Sequence, residues 1–485
     1  MNFANEIDVM QRAIRFGIIF ALSLGLSAGC QSEQNALSAT STATPSELEQ
    51  RTVQRRAVEA VIWGMPAVNF ERMLQAAIDN GAASNQIVYW SKPVNWKDQT
   101  LTPNPDTIYL NPFFDTTDGP VVLEIPPAEG DFSITGSIDT AWQNALEDVG
   151  PAGVDKGAGG KYLITPPGYK ANIPDGYIVL PSDTYRGFVI LRSNYKSGSD
   201  ADIAAAVEYG KKIKLYPLGA SDATKFVDVY DKVFDATIPY DAQYFEILNR
   251  FVQVEPWLAR DKVMIDSLKS IGIEKGKPFK PDADTQNILN AAAREAHAFL
   301  DDKYEHGYFP PPYYEGGHWS VPASMDVLEG MSTNFANPDK YVVDSRAVAY
   351  SVAYFSPKHF GAGQAYLMTI VDKAGEPLSG RKNYCLHVPP NAPVKLYWSA
   401  TAYDRQTHAL IRETSRSSRA SNSADVQKNA DGSVDVYFGP SAPAGEEPNW
   451  VPTNGRDFEV LFRFYGPEKP LADKTWVLPD IQEVN

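Results

Sequence analysis

Cysteine is nearly absent from this chain of 485 residues, which contains only Cys30 and Cys385. A disulfide framework is therefore excluded, because two cysteines allow one bridge at most. If Cys30 carries a lipid, as its setting predicts below, Cys385 has no partner and the exported protein folds without disulfides. Cys385 lies in an apolar, strand-like run, where we expect a buried and inert thiol.

Positive charge is also in short supply. The chain has 44 Lys and Arg residues against 60 Asp and Glu residues, so its formal net charge is -16. Such an acidic surface repels phosphate backbones, and we therefore expect no nucleic-acid partner.

Complete catalytic and metal-binding motifs are missing as well. The nucleophile motif G-x-S-x-G does not occur, and residues 153–161 depart from a phosphate-binding loop because Asp155 replaces its first glycine. None of the six histidines forms a closely spaced metal-binding pair. We expect no cofactor and no metal site, and the alternative is a metal site assembled from distant strands, as in jelly-roll enzymes.

The most specific feature that is present lies at the start of the chain. Arg12 and Arg15 precede an apolar run over residues 16–26, and small residues then lead to Cys30. The run is shorter than the roughly 20 residues that a membrane-spanning helix needs, and the pattern is typical of a cleaved secretory signal. A cysteine directly after the small residues resembles a lipobox, so residues 1–29 are predicted to be removed and Cys30 to be lipidated. The alternative is an ordinary secretory signal with a chance cysteine.

The residues that follow indicate how the protein is held. Residues 30–47 are rich in Ser, Thr, Ala and Gln without an apolar period, which is typical of a flexible tether. Gln31, rather than an aspartate, follows the cysteine and predicts anchoring in the outer membrane, facing the periplasm. The predicted partner is thus a membrane, reached through the lipid on Cys30. The sequence leaves the oligomeric state open.

Hydrophobic patterning divides the folded part into three segments. Residues 48–198 combine N-terminal helices with short alternating runs between Pro, Gly and Asp, which predicts an antiparallel β-sandwich. Residues 199–341 are mainly helical, and the strand pattern returns over residues 342–485.

The first helix has recognisable boundaries. Ser46 and Glu49 match a capping box, and Gly81 is a natural C-cap. Gly64 and Pro66 predict a kink or a restart between these ends.

Five motifs carry a resemblance to a known family. They are TPNPDTIY at residues 102–109, YWSATAYD at 397–404, NADGS at 429–433, NWVP at 449–452 and RFYGP at 463–467. In this order they resemble a bacterial two-domain family that joins the domains of unknown function 1254, at the N-terminus, and 1214, at the C-terminus. The resemblance implies an α+β multidomain fold with two antiparallel, jelly-roll-like β-sandwich domains, N-terminal helices and a helical middle segment. It implies no settled activity.

Polar residues at strand ends are the candidates for a functional site. Asp106 and Asp139 are the candidate catalytic residues, because two carboxylates near each other could perform glycoside or ester hydrolysis. The candidate ligand-binding residues are Asn104, Tyr109, Trp142, Trp398, Arg463 and Tyr465. The structural alternative makes Asn104 and Asp106 turn-forming residues and ties Arg463 to a buried carboxylate.

Two classes of function follow. In the first, a cleft between two sandwiches binds or hydrolyses a glycan or another envelope substrate. In the second, the protein is a non-catalytic structural or protein-interaction lipoprotein of the envelope. A basic, Ser/Thr-rich stretch is either a solvated loop or an anion-binding rim. Its arginines are Arg405, Arg412, Arg416 and Arg419.

Overall fold

The computed structural model describes residues 44–195, 197–220, 224–306, 311–354, 357–359 and 363–484. Cys30, the predicted signal over residues 1–29 and most of the predicted tether lie outside the described residues. From Glu49 onward the described chain forms one compact unit.

The first helix, α1 (Pro45–Asp79), begins with a capping box two residues earlier than predicted. The Glu47 N–H donates to the Thr44 hydroxyl oxygen at 3.3 Å, and the Thr44 N–H donates to the Glu47 carboxylate at 2.7 Å. Each residue thus satisfies a backbone donor of the other, and proline fits the first helical position because no N–H is needed there. The box is formed by Thr44 and Glu47, not by Ser46 and Glu49.

Seven further helices follow α1 in the described residues. They are α2 (Asp200–Gly210), α3 (Gln243–Val254), α4 (Met264–Ser270), α5 (Ala283–His306), α6 (Met325–Ser332), α7 (Val343–Val352) and α8 (Lys469–Ala472). Most of them lie in the segment that the sequence predicts to be helical.

The helix α1 does not restart at Gly64 and Pro66. A side chain at Gly64 would meet Leu248 of α3 at 2.9 Å, so the glycine allows two helices to approach closely. The carbonyl of Pro66 accepts a hydrogen bond from the Gln143 side chain at 3.0 Å. Tertiary packing therefore supports the helix where the proline removes one of its own hydrogen bonds.

Twelve strands of the described chain lie between residues 86 and 235. Strands β1 to β12 are Gln86–Tyr89, Asp98–Gln99, Ile108–Asp115, Val121–Ile125, Ile134–Thr140, Ala145–Val149, Gly160–Thr165, Ile178–Pro181, Arg186–Ser193, Lys214–Pro217, Phe226–Asp228 and Phe234–Asp235. Most of them form an N-terminal sandwich of two sheets, with strand orders β11-β1-β3-β9-β5-β6 and β10-β4-β7-β8. Leu123, Ile138 and Leu191 are among the fully buried residues of its core.

The middle segment supplies three strands that the sequence patterns missed. Strand β10 pairs with β4, β11 with β1 and β12 with β2. These strands have only two to four residues, too few for an alternating pattern to be recognised. The N-terminal sandwich therefore needs residues from beyond position 198.

A second sandwich lies near the C-terminus. Strands β13 to β20 are Gln364–Thr369, Asn383–Val388, Trp398–Asp404, Ser418–Ala420, Val434–Gly439, Trp450–Pro452, Phe458–Tyr465 and Gln482–Val484. Their sheet orders are β13-β19-β15-β16 and β18-β17-β14-β20. Most strand pairs are antiparallel, whereas β1–β11, β2–β12, β7–β8 and β17–β18 are parallel. The predicted α+β fold with two antiparallel-rich sandwiches is confirmed.

The outer faces of both sandwiches pack against the helices. Along β9, Leu191 lies in the sandwich core and Ile190 in the helical core. Along β19, Phe462 lies in the second sandwich core and Leu461 in the helical core. Because side chains alternate along a strand, Arg192 and Arg463 lie on the outer faces of their sheets.

Candidate functional site

The outer face of the N-terminal sheet carries an arginine beside a tyrosine. Tyr109 of β3 is opposite Arg192 of β9, and Arg192 is opposite Thr135 of β5. The Arg192 guanidinium carbon lies 5.3 Å from the centroid of the Tyr109 ring. Strand register alone therefore places a cation over an aromatic face.

The C-terminal sheet presents the same pair of residue types. Tyr366 of β13 is opposite Arg463 of β19, and the guanidinium carbon of Arg463 lies 5.7 Å from the Tyr366 ring centroid. All four of these residues are at most 7% exposed.

The two faces enclose a small cavity of about 60 Å³, which we call the arginine cavity. It is lined by Asp98, Tyr109, Asn111, Arg192, Tyr366 and Arg463, together with apolar residues of β9, β13, β19 and α7. An adjoining cavity of about 80 Å³ shares Arg192 and Tyr366 with it and also contacts Ser137, Asp148, Asn194, His359 and Tyr465. A water molecule needs roughly 10–15 Å³ of such space, so each cavity holds a few waters or a small chemical group.

Arg463 is fixed by oxygen atoms that carry no net charge. Its guanidinium donates to Thr401 Oγ1 at 3.1 Å, to the Thr102 carbonyl at 2.9 Å and to Tyr403 Oη at 2.6 Å. No carboxylate of the described residues forms an ion pair with it. The side chain is thus positioned, but its charge is not neutralised by a bonded partner.

Arg192 is less well satisfied. It is 5% exposed, and its Nε has no hydrogen-bond partner among the described residues. No described carboxylate pairs with it either. Burying a guanidinium without a counter-charge costs several kcal/mol, so an unpaired one lining a cavity points to an anionic ligand.

Asp98 adds a carboxyl group to the arginine cavity without pairing with either arginine. It is 3% exposed and accepts hydrogen bonds from the N–H and the hydroxyl of Thr100. Burial, partly offset by these bonds, raises the pKa of Asp98 to about 7. The group therefore exchanges a proton near neutral pH, as a general acid or base does.

Comparison with known proteins identifies the two halves of this cavity. The family model described as "Protein of unknown function (DUF1254)" matches residues 84–217, and the model described as "Protein of unknown function (DUF1214)" matches residues 363–469. The chain carries a DUF1254 domain followed by a DUF1214 domain. The predicted two-domain organisation is confirmed, and no curated protein matches the chain significantly.

One solved structure agrees on the fold. The crystal structure of the VPA0106 protein from Vibrio parahaemolyticus is similar with a TM-score of 0.54 and 17% sequence identity, covering 89% of this chain and 100% of that chain. An uncharacterized protein from Burkholderia cenocepacia gives a TM-score of 0.39 at 11% identity, covering 90% of this chain and 96% of that one. At such identity, the first similarity shows the fold alone.

The DUF1254 domain supplies Tyr109 and Arg192 to the arginine cavity, and the DUF1214 domain supplies Tyr366 and Arg463. Asn104 bridges the two domains nearby: its Nδ2 donates to Tyr465 Oη at 2.7 Å, and its N–H donates to Tyr109 Oη at 3.0 Å. Four candidate ligand-binding residues are thus brought together, namely Asn104, Tyr109, Arg463 and Tyr465.

The two candidate catalytic carboxylates line neither the arginine cavity nor the adjoining one. Asp106 accepts a hydrogen bond from Ser418 Oγ at 2.6 Å. Asp139 is fully buried, and neither of its oxygens has a partner among the described residues. Burial raises the pKa of both groups, and Asp139 also lies close to the negative charge of Asp148. In the structure, both are partly or fully enclosed carboxyl groups rather than a facing pair.

The candidate tryptophans pack within cores. Trp142 lies edge-on to Trp63, with ring centroids 4.9 Å apart, in the helical core. Trp398 stacks on Phe462 at 5.4 Å in the DUF1214 sandwich. Neither ring lines the arginine cavity or the adjoining one.

A serine, an aspartate and a histidine meet in the adjoining cavity but do not form a catalytic triad. Ser137 Oγ donates to Asp148 at 2.7 Å, and His359 Nδ1 lies 3.1 Å from the same carboxylate. In a triad the histidine stands between the serine and the carboxylate, whereas here the carboxylate stands between the other two. The histidine therefore cannot take the serine proton.

Other predicted features have ordinary partners. Each arginine of the basic stretch pairs with a carboxylate: Arg405 with Glu305, Arg412 with Asp235, and Arg416 and Arg419 with Asp425. Cys385 is half-buried rather than buried as expected, and partial desolvation raises the pKa of its thiol to about 12, which keeps it protonated and unreactive. In the part of the chain that the structure describes, no three His, Cys, Asp or Glu side chains are grouped to hold a metal, and no helix has the length and apolar composition to cross a membrane.

Sequence reasoning missed Asp98, Arg192 and Tyr366. Residues 187–191 before Arg192 carry no charge, so a charge after this run on a buried strand was the available signal. Tyr366 looks like any strand tyrosine, and Asp98 stands in a two-residue strand. Their common cavity depends on how two sandwiches pack, which local patterns do not encode.

Proposed function

We propose that this protein binds a small anionic ligand in the arginine cavity, between its DUF1254 and DUF1214 domains. We further propose that it does so as an exported lipoprotein, anchored through Cys30 in the outer membrane. The ligand would be an envelope compound such as a sugar acid, in line with the expected glycan or small-molecule partner.

The observation that carries this proposal is the pair of buried arginines without carboxylates. Charge-assisted hydrogen bonds from guanidinium groups to carboxylate or phosphate are among the stronger polar interactions in proteins. Asp106 lies near the charges of Arg463 and Arg419, but its carboxyl group accepts its hydrogen bond from Ser418 and forms no ion pair with either arginine among the described residues, and burial raises its pKa. An incoming anion would supply the missing charge.

The size and lining of the cavities limit the ligand. Each accepts a group of a few heavy atoms, with tyrosine rings as walls and Arg192 at the shared boundary. The adjoining cavity offers Ser137, Asn194 and Asp148 to hydroxyl groups. A compact acid with hydroxyl substituents fits this distribution better than a long apolar acid.

The decisive experiment compares glucuronate with glucose by titration calorimetry. The two sugars differ in one carboxylate, so glucuronate is expected to bind and glucose to bind at least tenfold more weakly. Arg192→Gln should weaken glucuronate binding by about 10- to 100-fold, the equivalent of roughly 1.5–3 kcal/mol for a hydrogen bond to a charged group. Arg412→Gln, which changes an exposed paired arginine, is the matched control.

Two outcomes of this titration would reject the anion site. One is equal binding of glucose and glucuronate, and the other is an Arg192→Gln variant that binds glucuronate as the unmodified protein does. If neither sugar nor inorganic phosphate nor sulfate binds, the non-catalytic interaction lipoprotein becomes the better proposal.

Acid–base catalysis on the bound ligand is a second candidate function, favoured by the pKa of Asp98 near 7 in the same cavity. Asp98→Asn should abolish any ester or glycoside hydrolysis found by screening, while leaving glucuronate binding in place. The earlier candidates are tested in parallel: Asp106→Asn and Asp139→Asn with unchanged turnover would remove both from a catalytic role.

The anchoring proposal has its own test. Cys30→Ala should move the protein from the membrane fraction to the soluble periplasmic fraction, because the acyl chains supply the membrane affinity. An unchanged membrane fraction would contradict lipidation at Cys30.

A further inference from the structure

A larger cavity, of about 390 Å³, lies beside α5 and α7 and is lined by neither Arg192 nor Arg463. Thr237, Tyr240, Arg294, His297, Ser351 and His408 are among its lining residues. Leu101 lines both this cavity and the arginine cavity, so the chain segment around it lies between them. We call the larger space the histidine cavity.

His408 is held in one orientation by a buried carboxylate. Its Nδ1 lies 2.8 Å from Glu459 Oε1, and Tyr304 Oη–H donates to Glu459 Oε2 at 2.6 Å. Glu459 is fully buried, and each of its oxygens has one of these two groups as a hydrogen-bond partner. A neutral imidazole that donates from Nδ1 to a carboxylate carries its lone pair on Nε2.

The backbone of His408 adopts an uncommon conformation that hydrogen bonds hold in place. Its φ is +55°, in the left-handed region, where few residues other than glycine, asparagine, aspartate and histidine are found. Its N–H donates to the Asp404 carbonyl at 2.8 Å, and its own carbonyl accepts from the Thr102 N–H at 2.7 Å. Strain held by surrounding hydrogen bonds is typical of functional positions.

The other side of the histidine cavity carries a second imidazole and a cation. His297 stacks on Tyr240 with ring centroids 3.7 Å apart, and its Nε2 lies 3.5 Å from Asp301. Arg294 lies one turn earlier on α5, is exposed, and pairs with no carboxylate among the described residues. The cavity is thus lined by a guanidinium without an ion-pair partner among the described residues and by two imidazoles.

We propose that His408 is a general base at a second ligand site, in which Arg294 holds the carboxylate of a hydroxy acid and Nε2 faces its hydroxyl group. In the step, the O–H bond of the ligand breaks and an N–H bond forms on Nε2, while the electron pair stays on the oxygen. The carboxylate of Glu459 balances the positive charge that arises on the ring. Glu459 is the positioning residue of this pair, as in other carboxylate–histidine arrangements.

The chain contains a natural control for this pair. His387 Nδ1 lies 2.6 Å from Asp435, the same contact as in His408, but the His387 side chain is 47% exposed against 7% for His408. His387 lies on β14 and lines neither the histidine cavity nor the two cavities around Arg192. The two histidines therefore share the carboxylate contact and differ in their burial and in whether they line the cavity.

The first test uses p-nitrophenyl acetate, with water as the hydroxyl donor. His408 would take the proton from the water that attacks the acetyl carbonyl, and p-nitrophenolate would leave. His408→Gln should lower the hydrolysis rate by about tenfold or more, whereas His387→Gln should leave it unchanged. Equal rates for these two variants would overturn the proposal.

The second test asks whether the ligand is a hydroxy acid. Gluconate should inhibit the ester reaction more strongly than hexanoate, which has the same chain length without hydroxyls, and Arg294→Gln should weaken this inhibition. Equal inhibition by the two acids, or inhibition unaffected by Arg294→Gln, would overturn the assignment of the ligand. This test measures the ester reaction at His408. Its outcome therefore does not depend on whether the arginine cavity binds a ligand.

The role of Glu459 is tested by a measurement that a change in folding stability alone does not alter. In protein labelled with ¹⁵N-histidine, His408 should show a protonated Nδ1 and an unprotonated Nε2, and Glu459→Gln should change this distribution without changing that of His387. If Glu459→Gln does not fold, the unmodified protein still decides the point, because a protonated Nε2 at neutral pH would contradict the proposal.

Discussion

Two arginines on the same face of strand β9 have opposite surroundings. Arg186 donates to Glu255 at 2.7 Å and to Glu71 at 2.6 Å, so two carboxylates surround one guanidinium. Arg192, six residues later on the strand, has no carboxylate partner in the described chain and an unbonded Nε. Both side chains are nearly buried, at 9% and 5% exposure.

The difference shows that neighbouring elements decide what a buried charge does. Glu71 comes from α1 and Glu255 directly follows α3, so Arg186 ties two helices to the sheet. Arg192 faces the DUF1214 domain, which contributes tyrosines and another arginine instead of a carboxylate. The same residue type is structural at one end of the strand and available to a ligand at the other.

The largest expected effect comes from removing the paired arginine. Arg186→Met leaves two buried carboxylates without a counter-charge, and the free energy of unfolding in urea should fall by about 3–5 kcal/mol. Arg412→Met breaks an exposed pair with Asp235 and should cost less than about 1 kcal/mol. A loss at Arg186 as small as that at Arg412 would remove the contrast between the two ends of β9.

Asp139 is a buried carboxyl group on the neighbouring strand β5, opposite Phe188 rather than Arg192. Burial raises the pKa of Asp139 well above its ordinary range, so the folded chain keeps a proton that the unfolded chain releases near pH 4. The stabilisation from this group is complete below that pH and falls by about 1.4 kcal/mol per pH unit up to the folded pKa.

Asp139→Asn should therefore flatten the decline of the unfolding free energy between pH 5 and pH 7, because asparagine has the shape of the neutral acid and does not titrate. Urea unfolding at several pH values measures this slope. A slope identical to that of the unmodified protein would mean that Asp139 is ionised in the fold and balances nearby positive charge.

Replacing the unpaired Arg192 should change the free energy of unfolding in the opposite direction to replacing Arg186. Without ligand, Arg192→Met removes an uncompensated charge and should leave the free energy of unfolding unchanged or raise it by about 1 kcal/mol. With saturating glucuronate the order should reverse, because only the unmodified protein gains from binding. Thermal unfolding with and without the sugar acid checks both statements, and destabilisation of the ligand-free variant by 3 kcal/mol would contradict them.

The smallest expected effect concerns the acid of the arginine cavity. Asp98 gains negative charge as the pH rises through about 7, so glucuronate binding should weaken roughly three- to tenfold between pH 6 and pH 8. Asp98→Asn should remove this dependence and keep the affinity of the low-pH form. Calorimetry across this range decides the point, and a pH dependence that persists in Asp98→Asn would assign it to another group.

Sequence patterns predicted the helices and strands better than the contacts between them. The alternating runs of β9 and β19 identify strands because a sandwich buries one face and the helices bury the other. The cap at Thr44 and the continuous helix through Gly64 were missed, since each depends on one competing residue or one tertiary neighbour. The same holds at the site: TPNPDTIY and RFYGP point to Tyr109 and Arg463, whereas nothing local shows that Asp106 would meet Ser418 instead of Asp139.

Because Arg192 and Tyr366 line both small cavities, a ligand in one cavity contacts side chains that also form the wall of the other. A group that reorients Arg192 in the arginine cavity changes the wall met by a second group in the adjoining one. Thermodynamic linkage then requires each ligand to alter the affinity of the other by the same factor. Two separate small molecules would therefore bind here cooperatively or competitively, and one molecule spanning both spaces would combine the two contributions in a single event.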